Sequence, residues 1–488
     1  TRSRLRQKTS PGRSYVVASQ PFPPKVPNMG HAFQFQPVTL PEPIETPNRK
    51  IHTPIPHPDD RDIVEALRRC EPRSMSGQPL VVWDRAEGVH VFDRHGNQWL
   101  DFSSGVLVTN AGHGRPEAVA ALTEVVQRPL HHSYCFPNTQ RAALCEYLVD
   151  HCAPDYLDKV FLLTTGSEAI ECAIKIARAH CHQHGGPEKD VIVTFSGDFH
   201  GRTLGAQMAG GIPALKDWIV NHDPCMVNAP IPDGFRGQDT SFDGFLKALA
   251  EAGVDPSRVA GVCLETYQGG TAILLPDDYM KSLRAFCDEN EALLIFDEVQ
   301  AGFGRCGTMW GFEHYKVKAD MIVCGKGISS GLPLSAVIGH SDWMDHFPPG
   351  SMTSTHTGNP ICCAAALANI KAIVDEGMIE NAARMGEVFQ ARMKHFEQKY
   401  PNWVGKADAI GAVAAVQMVT EPGSLDPDHD TAFAIVKHAV EHGLMLFGPV
   451  GTGGGTVKLC PPLCMTAEQV EEGLDVLEAA FDAVCVGR

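Results

Sequence analysis

"KVFLLTTGSEAIECAIKIARAHC", residues 159–181, decides the fold. Its first five residues are mostly apolar and read as a short buried strand. Thr164-Thr165-Gly166-Ser167 then breaks the run, and a helical pattern follows in which Ile170, Ala173, Ile174 and Ala177 recur at i, i+3, i+4 and i+7. Strand, polar turn and amphipathic helix in that order make half of a βαβ unit. Similar apolar runs recur at 191–197 (VIVTFSG), 259–265 (VAGVCLE), 293–298 (LLIFDE) and 321–326 (MIVCGK), with helical patterns between several of them. Near-continuous apolar strands alternating with helices predict an α/β domain around a mostly parallel sheet.

The flanks differ. Residues 1–60 are rich in proline, and the first 25 carry Arg2, Arg4, Arg6, Lys8, Arg13 and Lys25 without one acid. This reads as an extended arm of little structure, with a transit-peptide remnant as the weaker reading. Residues 80–102 alternate strand-like runs with turns such as His95-Gly96-Asn97 and predict an antiparallel meander. Residues 357–400 read as long helix, 456–463 as a strand, and the stretch after Thr466 as a helix whose cap pairs Thr466 with Gln469. The glycine-rich 448–456 precedes a strand, so a loop is expected there and not a phosphate cradle.

A length of 488 residues suits two units or one with a lobe. A net charge of −17 argues against nucleic acid or an anionic membrane as partner. No run of apolar residues is long enough to span a bilayer, and no secretory signal is visible. Sixteen scattered cysteines without a CxxC pair read as thiols of a reducing, cytoplasmic setting. The histidines of "HCHQH" (180–184) read as a polar helix end, and no metal is expected.

In open α/β sheets ligands bind beyond the carboxyl ends of the strands. Several chemical groups collect there. Gly166 and Ser167 open a helix and offer N–H groups to an anion, most simply a phosphate. Asp297 ends an apolar strand, where a carboxylate is costly unless it meets a cation or donor. Phe199 and Arg202 lie in "DFHGRT" after another strand, and Lys326 ends a fourth, flanked by Gly325 and Gly327, which are expected to let a ligand approach the backbone. Pyridoxal 5′-phosphate uses all of these: a phosphate, a flat face, a ring nitrogen that gains from an acid, and an aldehyde that a lysine captures.

The chain resembles the class III, or ω-amino-acid, pyridoxal-phosphate aminotransferases of fold type I. The resemblance runs from about Trp83 to the C-terminus on "NAGHGRPE", "TTGSEAIECAIKIAR", "FHGRT", "LLIFDEVQAGFGRCGTMWGFE", "GKGISSGLPLSAVIG" and "TSTHTGNPICCAAALA". It implies a large domain, 116–365, with a seven-stranded sheet between helices, and a smaller α+β domain from 61–115 and 366–488. It implies Lys326 as the Schiff-base lysine and Asp297 as the partner of the ring nitrogen. Gly166 and Ser167 match the phosphate loop, Phe199 and Val299 the contacts on the two ring faces, and His200 the same cofactor set. Gln300 matches a contact near the ring hydroxyl, and Thr355 a phosphate ligand supplied by the neighbouring subunit. A homodimer or tetramer with shared sites follows, working by a ping-pong route on an amine or amino acid and a keto acid.

The chain also departs from the pattern. Asp408, in "DAIGAVAAVQM", stands where relatives carry an arginine for the substrate α-carboxylate, and no arginine occurs between Arg392 and Arg488. The glutamate that hides that arginine in relatives is missing too, since no acid lies between Glu265 and Asp277. Arg202 is the remaining candidate for a distal carboxylate. Val106 replaces a tyrosine that contacts substrate in ornithine-type relatives. The alternatives to aminotransfer are a racemase, epimerase or lyase on the same scaffold, or a non-catalytic protein that keeps the fold.

Overall fold

The computed structural model describes residues 32–128 and 130–486. Most of the basic, proline-rich start read as an arm lies outside the described residues. From Phe33 onward, however, the segment is extended but packed. Phe33, Ile51 and Ile55 are buried, Ile44–Glu45 pairs with Lys50–Ile51, and Lys50 pairs with Gln98. The segment read as an arm of little structure is held from outside over these residues, where its apolar side chains help to fill a small core around Trp99.

The expected meander forms from Arg85–Glu87, His90–Phe92 and Gln98–Asp101, all antiparallel. A short strand near the other chain end, Leu444–Met445, adds to it in parallel.

The main sheet comprises β1 (Lys159–Leu163), β2 (Val191–Phe195), β3 (Met226–Ala229), β4 (Val259–Glu265), β5 (Leu293–Asp297), β6 (Met321–Cys324) and β7 (Ser335–Gly339). Their order is β1-β7-β6-β5-β4-β2-β3, and only β7 runs against its neighbours. The chain therefore has the α/β architecture expected for fold type I. The apolar runs read from the sequence do not include β3, which has only four residues, or β7, which follows β6 with no α-helix between them. Buried side chains cover both faces of the sheet. α1 (Gly166–Gly185) lays Ala169, Ile170, Ala173 and Ala177 on Ile295, Val323 and Val337, while Leu264, Phe296 and Ile322 join the larger core opposite. His180 and His184 sit in the last turns of α1, before Gly186 ends it with φ 90°.

The stretch read as one long helix is two, α2 (Pro360–Asp375) and α3 (Met378–Lys399), broken at Gly377, whose φ of 64° leaves the helical region. A second sheet of three antiparallel strands, β8 (Val404–Ile410), β9 (Val413–Met418) and β10 (Thr456–Leu459), packs one face on α3 and α4 (His429–Glu441), and α5 (Ala467–Phe481) packs on those two helices. The capping box expected at Thr466 and Gln469 starts α5. The other face of this sheet, through Ile410, Val413 and Ala415, meets Tyr267, Ala272 and Ala301 from the loops after β4 and β5.

One fully buried guanidinium ties these parts together. Arg305 donates to Ala412 O at 2.9 Å and to Pro461 O, and its other nitrogen reaches Asn110 Oδ1 at 2.9 Å. Among the described residues no helix is long and apolar enough to cross a membrane.

Candidate active site

The parallel register sets the floor of the site. Asp297, the last residue of β5, lies directly opposite Glu265, the last of β4. Two carboxylates thus end adjacent buried strands. His200 answers them from the loop after β2, its Nδ1 2.8 Å from Asp297 Oδ2. Asp297 Oδ1 accepts from Val299 N at 3.0 Å, so the whole carboxylate is oriented. Glu265 accepts from Phe199 N at 2.9 Å and Gly269 N at 3.1 Å. Behind it, Asp198 Oδ2 accepts from Glu265 N at 3.3 Å and lies 3.6 Å from His200 Nε2.

Burial and crowding perturb this cluster. Burial pushes the Glu265 carboxyl up and Asp297 beside it adds to the rise, against the opposing pull of His200. Burial and Glu265 likewise push Asp198 well above the usual carboxylate range. Burial alone would lower His200, but its hydrogen bond to Asp297 and the charges of Asp297, Asp198 and Glu265 win, raising it to about 9. His200 is therefore largely an imidazolium at neutral pH.

Lys326 follows β6 and its own φ is 42°, a left-handed conformation that costs a non-glycine residue energy and clusters at functional sites. Burial draws its amine below the usual lysine range, with Asp297 and Glu265 resisting. Gly327 also has a packing use: a Cβ there would lie 2.4 Å from Asn110 Nδ2, so the glycine makes room for Asn110, whereas a Cβ at Gly325 would keep ordinary clearance.

The start of α1 is built by a capping box. Thr165 accepts from Glu168 N, and Glu168 reaches back to Thr165 N at 3.2 Å and Thr164 N at 2.9 Å. This leaves the N–H groups of Gly166 and Ser167 as first-turn donors without helical partners. The Ser167 hydroxyl accepts from Arg202 N at 3.1 Å and Thr203 N at 3.0 Å, closing the loop after β2 over the helix start. Gly201 permits that closure, because a Cβ there would sit 2.2 Å from Ser167 Oγ.

These groups share one cavity of about 470 Å³. Gly166, Ser167, Phe199, His200, Arg202, Asp297, Val299, Gln300 and Lys326, all expected from the sequence, line it. Arg202 is exposed, with its guanidinium 5.3 Å from the Phe199 ring centre. Thr355 and Val106 do not line it; both are exposed. Asp408 is paired in register with Ala415 and, through it, Lys458, so it shares their face of the small sheet at the outer edge strand. Its Oδ2 lies 3.8 Å from Lys406 Nζ.

Sequence reading missed Glu265, Asp198 and Lys458. Glu265 carried the same signal as Asp297, a carboxylate ending an apolar strand. Lys458 carried a fainter one, a lysine inside a strand that is otherwise buried.

The donor set suits pyridoxal phosphate. Helix-start N–H groups and small side chains converge at one end of the cavity, an oriented carboxylate lies on its floor, and a lysine reaches it from a third strand. A His57–Asp59–His95 cluster is the group of metal-ligand type among the described residues, and it lies on another part of the chain.

Comparison with known proteins agrees with this chemistry. The family model described as Aminotransferase class-III matches residues 73–481. A probable 4-aminobutyrate aminotransferase of Bacillus subtilis (strain 168) is 31% identical over 412 residues, covering 82% of this chain and 92% of that protein. An isoleucine 2-epimerase of Lentilactobacillus buchneri is 31% identical over 417 residues, covering 83% and 90%. Among solved structures, an amine transaminase from an uncultivated Pseudomonas species in its PLP-bound form superposes with a TM-score of 0.77 at 26% identity, covering 83% of this chain and 95% of that one.

Proposed function

We propose, for a chain that belongs to the class III aminotransferases and works with pyridoxal 5′-phosphate, that Lys326 anchors the cofactor and moves the substrate proton. The reaction transfers an amino group from an ω-amine or amino acid to a keto acid in two half-reactions. The observation that carries the reading is the convergence of Lys326, Asp297 and the start of α1 on one cavity.

When bound, the cofactor supplies an aldehyde that condenses with amines and a protonated ring that accepts electron density from the substrate Cα. Burial holds Lys326 Nζ below the usual lysine range, which leaves more of it than of an exposed lysine as the neutral amine that can attack and accept a proton. With the cofactor bound, its amine would take the proton from the substrate Cα and deliver it to the carbon on the other side of the imine nitrogen. The Asp297 carboxylate, fixed by His200 and Val299 N, holds a proton on the ring nitrogen. Gly166 and Ser167 receive the phosphate, Phe199 and Val299 flank the ring, and Gln300 donates to the ring hydroxyl. Thr355 completes the phosphate site of the neighbouring subunit in a homodimer. We read 116–365 as the cofactor-binding unit and 61–115 with 366–488 as the smaller one. Sixteen free thiols support a cytoplasmic setting.

Epimerisation is the second reading, favoured by the lack of an arginine at Asp408 and by the similarity to an isoleucine 2-epimerase. One experiment separates the two. The cofactor-loaded enzyme is given an amine or amino acid with no keto acid. A transaminase stops after one equivalent of amine per site and loses its visible absorption. Continued turnover, read as loss of optical rotation, would overturn aminotransfer in favour of epimerisation.

A further inference from the structure

Lys458 lies on β10 and is 2% exposed. Its Nζ donates to Gly269 O at 2.5 Å and to Gln300 Oε1 at 2.9 Å, and it lies 5.0 Å from the Tyr267 ring centre. No carboxylate lies within ion-pair distance of it among the described residues. A buried ammonium with two neutral oxygens and an aromatic face is a costly arrangement. What it faces explains it. Gln300 lines the cavity, and its other amide atom, Nε2, is 3.4 Å from Glu265 Oε1. An ammonium has donors only, so it can face only the oxygen of that amide. Glu265 on the far side selects the nitrogen. The Gln300 amide is thereby held in one of its two orientations, with NH₂ on the side of Glu265, which also lines the cavity. Gly269 keeps the space clear, since a Cβ there would lie 2.3 Å from Gln300 Nε2 and 2.5 Å from Glu265 Oε1.

We propose that Lys458 is a positioning residue of the active site, which fixes the Gln300 amide with its donor toward the cofactor ring hydroxyl and adds a buried positive charge behind it. The inference rests on the reading that Gln300 contacts that hydroxyl. Its electrical consequence has a definite sign. When the imine between Lys326 and the cofactor loses its proton, the site becomes more negative by one charge. A nearby cation and an amide donor aimed at the ring oxygen both favour the deprotonated form, so both lower the pH at which the proton leaves. The other charged or titratable groups facing this point are Asp297 on β5, Glu265 on β4, Tyr267 after β4, Asp198, His200 and Arg202 from the loop after β2, Arg305 after β5, and Cys460 after β10. All of them are retained in the Lys458 variants.

The test is a pH titration of the visible band of the cofactor-loaded enzyme. Lys458→Met, which packs similarly without donor or charge, is expected to raise the midpoint by about one pH unit. Lys458→Arg, which keeps both, is expected to restore the native midpoint, and Lys458→Gln, with a donor but no charge, to fall between. The Gln variant also covers the case in which Met does not fold. Gln300→Ala separates the two readings. If it raises the midpoint while the folded Met and Gln variants of Lys458 leave it native, Gln300 keeps its role and the inference about Lys458 is overturned. If Gln300→Ala leaves the midpoint unchanged, the Gln300 reading is wrong and the inference falls with it.

Discussion

Asp297 and His200 form a pair that keeps a carboxylate oriented where burial would make it expensive. Asp297→Asn is expected to retain the cofactor yet lower turnover by well over tenfold, about 1.4 kcal/mol of barrier or more, because an amide cannot hold the ring-nitrogen proton. Single-turnover kinetics read this, and a smaller loss would exclude the role. The same variant reports on stability. His200 is raised in the folded state to about 9 from an ordinary 6.5. Its contribution is therefore complete below about pH 6.5 and is lost as pH rises through 9, with a slope of at most roughly 1.4 kcal/mol per pH unit. Urea denaturation of the cofactor-free protein is expected to show stability falling across that window, and Asp297→Asn to flatten the fall by removing the hydrogen bond and charge that hold the proton. Lys326→Ala is expected to abolish the visible band and turnover; wild-type turnover in that variant would remove the central assignment.

Two elements carry chemistry that a linear reading assigns only in part. Ser104, Gly105, Val106 and Leu107 all have positive φ, from 47° to 68°, making one left-handed turn. Such a turn costs a non-glycine residue roughly 1–2 kcal/mol, and most for a β-branched one. Asp101 holds it in place, its Oδ1 accepting from Ser103 N at 2.7 Å and Ser104 N at 3.2 Å, while Ser104 Oγ donates to Cys460 O at 2.6 Å. Val106 is exposed, so removing its side chain loses little packing. Val106→Gly is expected to stabilise the protein by about 1 kcal/mol, after the greater unfolded-state entropy of glycine is subtracted, as measured by denaturant midpoint. The second element is the small sheet. Asp408 shares a strand face with Lys458 but lies two strands away, about 10 Å, at the sheet's edge. Asp408→Arg brings a long cation to that face and is expected to raise kcat/KM for 2-oxoglutarate by about tenfold or more, the worth of a charge-assisted bond. No gain would mean that an arginine there does not reach the substrate, leaving Arg202 as the cation to test.

At the scale of the whole molecule, the cavity is assembled from parts far apart in sequence, and the Thr355 reading carries that assembly across a subunit boundary. Thr355 is exposed and outside its own chain's cavity. Thr355→Ala is expected to weaken cofactor retention about tenfold or more, the worth of one hydrogen bond to an anion. Mixing it with Lys326→Ala is the sharper measurement. If the site is shared, each mixed dimer has one site with both defects and one with neither, since two-fold symmetry pairs the patches reciprocally. Activity and cofactor retention are then expected to recover on subunit exchange. No recovery after verified exchange would put Thr355 in its own subunit's site.

Much of this molecule was legible in one dimension because its signals are local. Strand and helix periods near Ile170 and Ile295, the GS turn before α1, and a lysine and an aspartate ending apolar strands each depend on residues adjacent in the chain. The family motifs order the same groups. Other features depend on pairings between distant segments. That Glu265 stands beside Asp297 follows from the register of β4 and β5, and that Gly327 makes room for Asn110 follows from a contact between segments far apart in the chain. Residues 33–60 read as a loose arm because their few apolar side chains show no period, yet Ile51 and Ile55 reach a core around Trp99 that other segments build. Lys458 went unread inside its strand, and only the fold sets Gln300 against its ammonium. The sequence by itself determined which chemical groups this protein has and which elements carry them. Only the tertiary structure decided which of those groups meet in the low-dielectric interior, where proximity within a few ångströms sets their charge and orientation.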